Sequence, residues 1–230
     1  MVRALVLTLS LLFATPAAAS GPVVVELYTS QSCEACWRAN AAVASLAERT
    51  DVLPLTLPVD YWDYLGWTDT FARPEFAERQ REHARRLKLR GLQTPLVVVD
   101  GVAHASGLQR GQVPGLIRTR RAQAPARPQA RFTHNGRAVT VTRGALPAGG
   151  AEVWLVRYDP RLVNVAVTSG PNRGRTLPHR NVVRELVRLG AWTGASRSYA
   201  LPESETEGLK AAVLVQARRD GRMLAAAQES

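Results

Sequence analysis

Cys33 and Cys36 are the only cysteines among the 230 residues of the chain, and two residues separate them. Such a pair serves as a structural disulfide, as metal ligands, or as a redox couple that opens and closes. A disulfide across so short a loop stabilises a fold by only about 2 kcal/mol. A closed zinc site needs four ligands, and none of the four histidines has zinc-finger spacing. Two thiolates alone suffice for Cu(I), so a copper site stays open.

The residues around the pair favour the redox couple. The β-branched run 23–28 predicts a buried strand, Ser32 is a plausible helix N-cap, and a helix is expected over 39–47. Cys33 is then predicted at the helix N-terminus, where free amide groups and the helix dipole stabilise a thiolate. Cys36 follows one turn later, where it can attack a mixed disulfide formed at Cys33.

The rest of the first half alternates strands with helices. The residue patterns predict a strand at 52–59, a helix at 74–89, a hairpin at 96–105 and a helix at 111–121. Pro54 and Pro58 place the second strand at an edge or in an irregular position, because proline cannot donate to the ladder. Strands that alternate with helices indicate a layered α/β unit.

The second half has a different pattern. The Pro/Ala-rich stretch 123–130 predicts a linker between a first domain at 20–122 and a second domain at 131–230. Several short apolar runs separated by turn signals predict that the second domain is smaller, β-rich and sandwich-like. The apolar spacing of 181–189 fits either a helix or a strand, and both stay open.

The strand, the Cys-x-x-Cys pair and the segment Gly91-Leu92-Gln93-Thr94-Pro95 before a hairpin resemble the thioredoxin superfamily. The resemblance implies a thioredoxin-like fold for the first domain. It also implies that Pro95 follows a cis peptide bond and faces the cysteines, and that Thr94 offers backbone groups to an extended substrate segment. From the residues alone, the alternative is a trans proline that starts an edge strand.

A closer resemblance is to the DUF1223 family of secreted, thioredoxin-like bacterial proteins. The segments similar to its signatures are 25–31, 59–67, 90–95, 172–177 and 181–184. This resemblance covers nearly all of the chain after residue 19. It implies the fold and leaves the role to be argued from the residues.

Glu26 is the single acid in the apolar strand that leads to the cysteines. Burial disfavours a charged carboxylate, so we predict that the pKa of Glu26 is raised. Thioredoxins have a buried acid on the corresponding strand, and the resemblance implies that Glu26 relays a proton to and from Cys36. The alternative is that Glu26 is half exposed or pairs with an arginine.

An aromatic segment, 61–67, follows the second predicted strand. Loops at the carboxyl ends of strands carry function in open α/β sheets, so Trp62 and Tyr64 are candidate walls of a substrate groove beside the cysteines. It is equally open that these rings fill the core or dock the second domain.

The first 19 residues have the order of a signal peptide, with Arg3, an apolar run at 4–13 and Ala17-Ala18-Ala19. We predict cleavage before Ser20 and a periplasmic or secreted protein, a location where disulfides persist. No second apolar run reaches ~18 residues, so no integral membrane segment is expected after cleavage. The formal net charge of +11 comes from scattered arginines. Basic and aromatic residues do not interleave, so no nucleic-acid partner is expected.

These observations favour an exported oxidoreductase that exchanges thiols and disulfides with other exported proteins. Cys33 is the expected attacking thiol and Cys36 the resolving thiol. We expect no dissociable cofactor, because the dithiol itself carries the electrons. No residue is assigned as a metal ligand, and whether a metal is bound stays open. Two alternatives remain: a Cu(I)-handling protein that uses the same cysteines, and a non-catalytic thioredoxin-like binding module. The sequence leaves the oligomeric state open.

Overall fold

The computed structural model describes residues 21–109, 111–123, 127–204 and 206–229. The helices in these ranges are α1 (Cys36–Ala44), α2 (Pro74–Arg86) and α3 (Gln112–Ala122), with short 3-10 turns at Ser45–Glu48 and Asp63–Leu65. The strands are β1 (Val23–Thr29), β2 (Val52–Pro58), β3 (Leu96–Val99), β4 (Ala103–Ala105), β5 (Ala130–Thr133), β6 (Ala138–Val141), β7 (Ala151–Asp159), β8 (Val163–Ala166), β9 (Thr176–His179), β10 (Val182–Trp192), β11 (Arg197–Ala200), β12 (Lys210–Ala217) and β13 (Met223–Gln228). No helix of the described part is long and apolar enough to cross a bilayer. The predicted signal peptide, 1–19, lies outside the described residues.

Eight strands form one mixed sheet in the order β13-β12-β7-β10-β2-β1-β3-β4. β1 pairs in parallel with β2 and antiparallel with β3, and β3 pairs antiparallel with β4. On the other side of β2, the strands β10, β7, β12 and β13 follow in that order, and each pairs antiparallel with the next. The predicted α/β class is therefore confirmed as a large mixed sheet with few helices. The open segment 181–189 is a strand, because β10 pairs with β7 from Val182 to Trp192.

The helices lie on opposite faces of the β1 region. Side chains along a strand alternate between faces, and in β1 the residues Val25 and Leu27 are buried against α1 and α3. Val24 and Tyr28 are instead buried in the cluster that includes α2. Farther along the sheet, the face opposite α2 is covered by a three-stranded sheet, β11-β6-β5, which packs on β7 and β12.

β2 is an interior strand, so the prediction that its prolines mark an edge is wrong, whereas irregular pairing on one side is correct. The backbone nitrogen atoms of Pro54, Thr56 and Pro58 all face β10, because successive peptide groups of a strand point to alternate sides of it. On that side β2 meets β10 at a single residue pair, Val182 with Thr56. Thr56 N donates to Asn181 O at 2.9 Å, and Asn181 Nδ2 donates to Pro54 O at 2.8 Å. The missing proline N–H groups are therefore not needed.

The division into domains at 20–122 and 131–230 stays a prediction. The described strands on both sides of the 123–130 stretch nevertheless belong to one hydrogen-bonded sheet. The sandwich-like arrangement expected for the second half is limited to β5, β6 and β11 packing on the large sheet. This continuity brings segments of the second half close to the cysteines.

Candidate functional site

The cysteine loop, residues 30–35, joins β1 to α1. Cys33 and Cys36 form a disulfide, with their Cα atoms 5.4 Å apart. Cys33 N donates to Ser30 O and Cys36 N donates to Cys33 O, both at 3.1 Å, so two turns lead into the helix. α1 begins at Cys36, so Cys33 lies just before the helix rather than inside it. Cys33 is 8% exposed and Cys36 is 1% exposed, which makes Cys33 the more accessible sulfur-bearing residue.

The aromatic loop, residues 61–71, holds the cysteine loop through several hydrogen bonds. The prediction that Ser32 caps the helix is wrong, because Ser32 Oγ donates to Trp67 O at 2.8 Å and α1 has no side-chain cap. Trp67 Nε1 donates to Gln31 Oε1 at 2.8 Å. Gln31 N donates to Asp69 Oδ2 at 2.7 Å. The backbone before Cys33 is therefore anchored by a loop that follows the neighbouring strand.

Asp69 is the buried carboxyl group of this anchor. Burial raises the pKa of Asp69 to about 6, while the N–H groups of Gln31 and Phe71 act in the opposite direction. Phe71 N donates to Asp69 Oδ1 at 2.9 Å. The charged form that accepts both N–H groups best is therefore the main form only above about pH 6.

Thr94 and Pro95 lie at the same end of the sheet as the cysteine loop. Tyr28 near the end of β1 is paired with Leu96 at the start of β3. Residues that precede β3 therefore lie beside residues that follow β1. The Thr94–Pro95 peptide bond is cis, as the superfamily resemblance implied.

Trp62 lies next to Thr94, and Tyr64 lies next to Trp62. Trp62 Nε1 donates to Thr94 Oγ1 at 2.7 Å. The rings of Trp62 and Tyr64 are stacked, with their centroids 6.2 Å apart. Trp62 also packs against the core on the α2 side, whereas Tyr64 is 76% exposed. The structure thus brings three of the sequence-predicted substrate residues together, with Tyr64 as the ring open to solvent.

The Asn172 loop, residues 169–175, reaches the cysteine loop from the second half of the chain. The side chain of Asn172 is fully buried, and its Nδ2 donates to Gln31 O at 2.8 Å and to Cys33 O at 3.0 Å. Its Oδ1 accepts from Arg175 Nη1 at 3.2 Å. Arg175 Nη2 lies 4.0 Å from Glu34 Oε1. The side-chain amide of Asn172 therefore binds two backbone carbonyl groups of the cysteine loop, one of which belongs to Cys33.

A second contact from that half reaches α1 one turn beyond Cys36. His179 Nδ1 donates to Leu177 O at 3.1 Å, which leaves Nε2 to accept from Asn40 Nδ2 at 3.4 Å. Asn40 Oδ1 accepts from Thr29 Oγ1 at 2.7 Å. Burial lowers the pKa of His179 to about 4, so this imidazole is neutral near pH 7. A neutral hydrogen-bonded chain thus links β9, α1 and the end of β1.

Glu26 lies away from the cysteines, on the face of the sheet that packs against α2. Arg79 Nε donates to Glu26 Oε1 at 2.6 Å, and His83 Nε2 donates to Oε2 at 3.0 Å. Burial raises the pKa of Glu26, but Arg79 and His83 outweigh it and hold the pKa well below its usual range. The prediction of a raised pKa is wrong. Because α1 packs on the opposite face, a relay from Glu26 to Cys36 would have to cross the sheet.

Asn172, His179 and Asp69 are site residues to which the sequence assigned no role. Asn172 lies in a segment similar to the family signatures, and 139 positions separate it from Cys33. No local periodicity marks such a contact. In the described ranges, no group of three or more His, Cys, Asp or Glu side chains is arranged to hold a metal ion.

A family model described as "protein of unknown function (DUF1223)" matches residues 24–216. The chain belongs to the DUF1223 family. The matched range contains the cysteine loop, the aromatic loop and the Asn172 loop, so the whole site of this DUF1223 protein lies within the family region. The family expected from the sequence is confirmed.

Two solved structures are similar to this DUF1223 protein. The crystal structure of protein AGR_C_4864 from Agrobacterium tumefaciens is 27% identical, covers 92% of this chain and 95% of its own, and has a TM-score of 0.75. HBP35 of Porphyromonas gingivalis is 12% identical, with 93% and 76% coverage and a TM-score of 0.63, which is a likeness of fold alone. A search of curated proteins found no match.

Proposed function

We propose that this DUF1223 protein is an exported thiol–disulfide oxidoreductase that acts on other exported proteins. The observation that carries the proposal is a disulfide between two unequally exposed cysteines at the start of a helix. The two cysteines are three positions apart, so their disulfide closes too short a loop to contribute much to the stability of the fold. The proposal explains why such a bond is held by two other loops at an end of the sheet where Tyr64 is open to solvent.

We further infer a thioredoxin-like arrangement for β2, β1, β3 and β4 with the three helices. Its support is the parallel β1–β2 pair, the antiparallel β1–β3–β4 pairs, and the cysteines placed between β1 and α1. Helices on both faces of these strands are consistent with the same arrangement.

The exchange needs no cofactor because two cysteines carry two electrons. The thiolate of Cys33 attacks one sulfur of a partner disulfide, and the partner's other sulfur leaves as a thiolate. Cys36, on losing its proton, then attacks the Cys33 sulfur of the mixed disulfide and releases the second partner thiolate. The partner disulfide is reduced by two electrons, and the Cys33–Cys36 disulfide is formed. The same steps in reverse oxidise a partner dithiol.

The proposal is tested by following insulin reduction with dithiothreitol as the electron source. We expect catalytic amounts of this protein to raise the initial rate at least about tenfold over dithiothreitol alone, because the start of a helix favours the thiolate form of a cysteine, which is the nucleophile. Cys33→Ser should return the rate to that of the uncatalysed reaction. A wild-type rate equal to that of Cys33→Ser would refute the proposal, provided that refolding of a reduced, disulfide-containing protein is also not accelerated.

Export is part of the proposal and has its own measurement. Removal of residues 1–19 would give a mature chain that begins at Ser20, because Ala17-Ala18-Ala19 provides the small residues that signal peptidase requires. Intact-mass spectrometry of the protein from the periplasmic or secreted fraction should show this mature chain. Full-length protein confined to the cytoplasm would contradict export without bearing on the exchange chemistry.

A further inference from the structure

We propose that Asn172 is a positioning residue that sets the reactivity of the Cys33 thiol. The inference rests on the proposed function, in which Cys33 is the attacking cysteine. Asn172 does not touch the sulfur of Cys33. It holds the peptide group that Cys33 shares with Glu34, through the 3.0 Å hydrogen bond to Cys33 O.

The hydrogen bond from Asn172 acts on the peptide group between Cys33 and Glu34, which lies immediately before α1. Cys33 O accepts from Cys36 N as well as from Asn172, so its direction is fixed from both the helix and the Asn172 loop. A peptide whose carbonyl accepts hydrogen bonds becomes a better N–H donor, because hydrogen bonds in a chain polarise one another. The N–H group of Glu34, which belongs to this peptide, is therefore held and polarised immediately after Cys33, and amide groups at the start of a helix are the donors that stabilise a cysteine thiolate.

The Asn172 loop is itself rigidly placed, which a positioning role requires. Ser169 Oγ donates to Gly66 O at 2.6 Å. Gly170 has φ of +70°, and a Cβ at this position would lie 3.1 Å from Trp67 Cβ. Arg175 N donates to Asn172 O at 3.0 Å, and Gly174 N donates to Val167 O at 2.8 Å. The aromatic loop thus supports the Asn172 loop as well as the cysteine loop.

The hydrogen bonds that the side chain of Asn172 donates all go to the cysteine loop. This side chain is fully buried, both its oxygen and its nitrogen are used, and both carbonyls that it holds belong to the cysteine loop. A residue that only stabilised the connection between β8 and β9 would not require hydrogen bonds to the cysteine loop. The contact instead links the second half of the chain to the attacking cysteine.

The test compares Asn172→Leu with wild type, because leucine has the same number and branching of side-chain heavy atoms but cannot donate a hydrogen bond. The pKa of Cys33 is measured in the reduced protein from the pH dependence of alkylation, with the modified cysteine identified by mass spectrometry. We expect this pKa to rise by at least about 0.5 unit, since the two hydrogen bonds from Asn172 Nδ2 that hold the cysteine loop are both removed. The reduction potential, measured against glutathione, should become more negative, because the reduced form loses stabilisation.

The matched control is Asn164→Ala, which changes an exposed asparagine on β8 of the same half. It should leave the Cys33 pKa and the potential unchanged. If Asn172→Leu does not fold, Asn172→Ala supplies the same measurement. An unchanged or lowered Cys33 pKa with an unchanged potential would overturn the inference, even if the variant unfolds at a lower temperature. A wild type that neither reduces insulin nor accelerates oxidative refolding would refute the proposed function but leave the measured pKa shift as evidence for positioning.

Discussion

Replacing Cys36 with serine should convert this protein into a trap for its partners. A partner attached to Cys33 would then have no neighbouring thiol to release it, so mixed disulfides should accumulate. Cys33 is 8% exposed, whereas Cys36 is 1% exposed and is the first residue of α1. Non-reducing gels of the exported fraction should show higher-mass species in Cys36→Ser at least about tenfold more abundant than in wild type, since resolution is normally the faster step.

The order of attack is checked with the other single replacement. Cys33→Ser keeps one cysteine, but that cysteine is buried, so it should form few or no mixed disulfides. A variant that lacks both cysteines sets the background. If Cys33→Ser traps partners as well as Cys36→Ser does, or if alkylation of the reduced protein modifies Cys36 first, the two roles are assigned the wrong way round.

Replacing Glu26 with glutamine should cost this protein a large part of its stability. Glu26 is the buried carboxylate between Arg79 and His83, with separations of 2.6 Å and 3.0 Å. Glutamine keeps the shape but leaves the charge of Arg79 without its partner. Removing one member of a buried ion pair typically costs about 3–5 kcal/mol. We expect a loss of at least about 2 kcal/mol at pH 7, measured by urea unfolding, because glutamine retains some hydrogen bonding.

The pH dependence of this loss has a definite sign. Arg79 and His83 overcome the effect of burial and hold the pKa of Glu26 below its usual value of 4.5. Above that value both the folded and the unfolded chain have a charged Glu26, and the stabilisation is fully present. As the pH falls below 4.5, the unfolded chain takes up the proton first, so the stabilisation is progressively lost. The difference in the free energy of unfolding between wild type and Glu26→Gln should therefore become smaller as the pH falls from 5 to 3.

Glu82→Gln is the matched control for this measurement. Glu82 pairs with Arg86 at 3.3 Å on the same helix, but its side chain is 40% exposed. Such pairs contribute about 0–1 kcal/mol, so the control should change stability little. If the difference in unfolding free energy between wild type and Glu26→Gln does not change with pH, the explanation by a buried ion pair is contradicted. The rate of thiol exchange should be unaffected, whereas the relay hypothesis required slower resolution.

The case of Glu26 also shows what the sequence could and could not predict. The strand around Glu26 is apolar, and its burial follows from that pattern. The sign of its pKa shift depends on Arg79 and His83, which lie 53 and 57 positions away. They come from a helix whose predicted range was close to the observed one, but nothing in the helix pattern said which sheet residue its charged side chains would meet.

The elements that carry the cysteines were predicted well because they are local. The run of valines before the cysteine loop forms β1, and the Asp-Gly turn joins β3 to β4 as expected. β10 stayed ambiguous because its apolar spacing fits two periodicities, and only pairing with β7 makes it a strand. Likewise, the contacts of Asn172 with Cys33 and of His179 with Asn40 each join residues 139 positions apart, which no local pattern indicates.

The continuous sheet has a consequence for the order in which the chain is made. Cys33 and Cys36 are three positions apart, whereas the amide that holds their loop follows 139 residues after Cys33. A growing chain therefore presents both thiols to its surroundings well before Asn172 has been synthesised. Until then β2 also lacks its contact with Val182. The nascent cysteine pair thus lacks the hydrogen bonds that hold its loop in the mature protein, and the loop acquires them only after the Asn172 loop has been made.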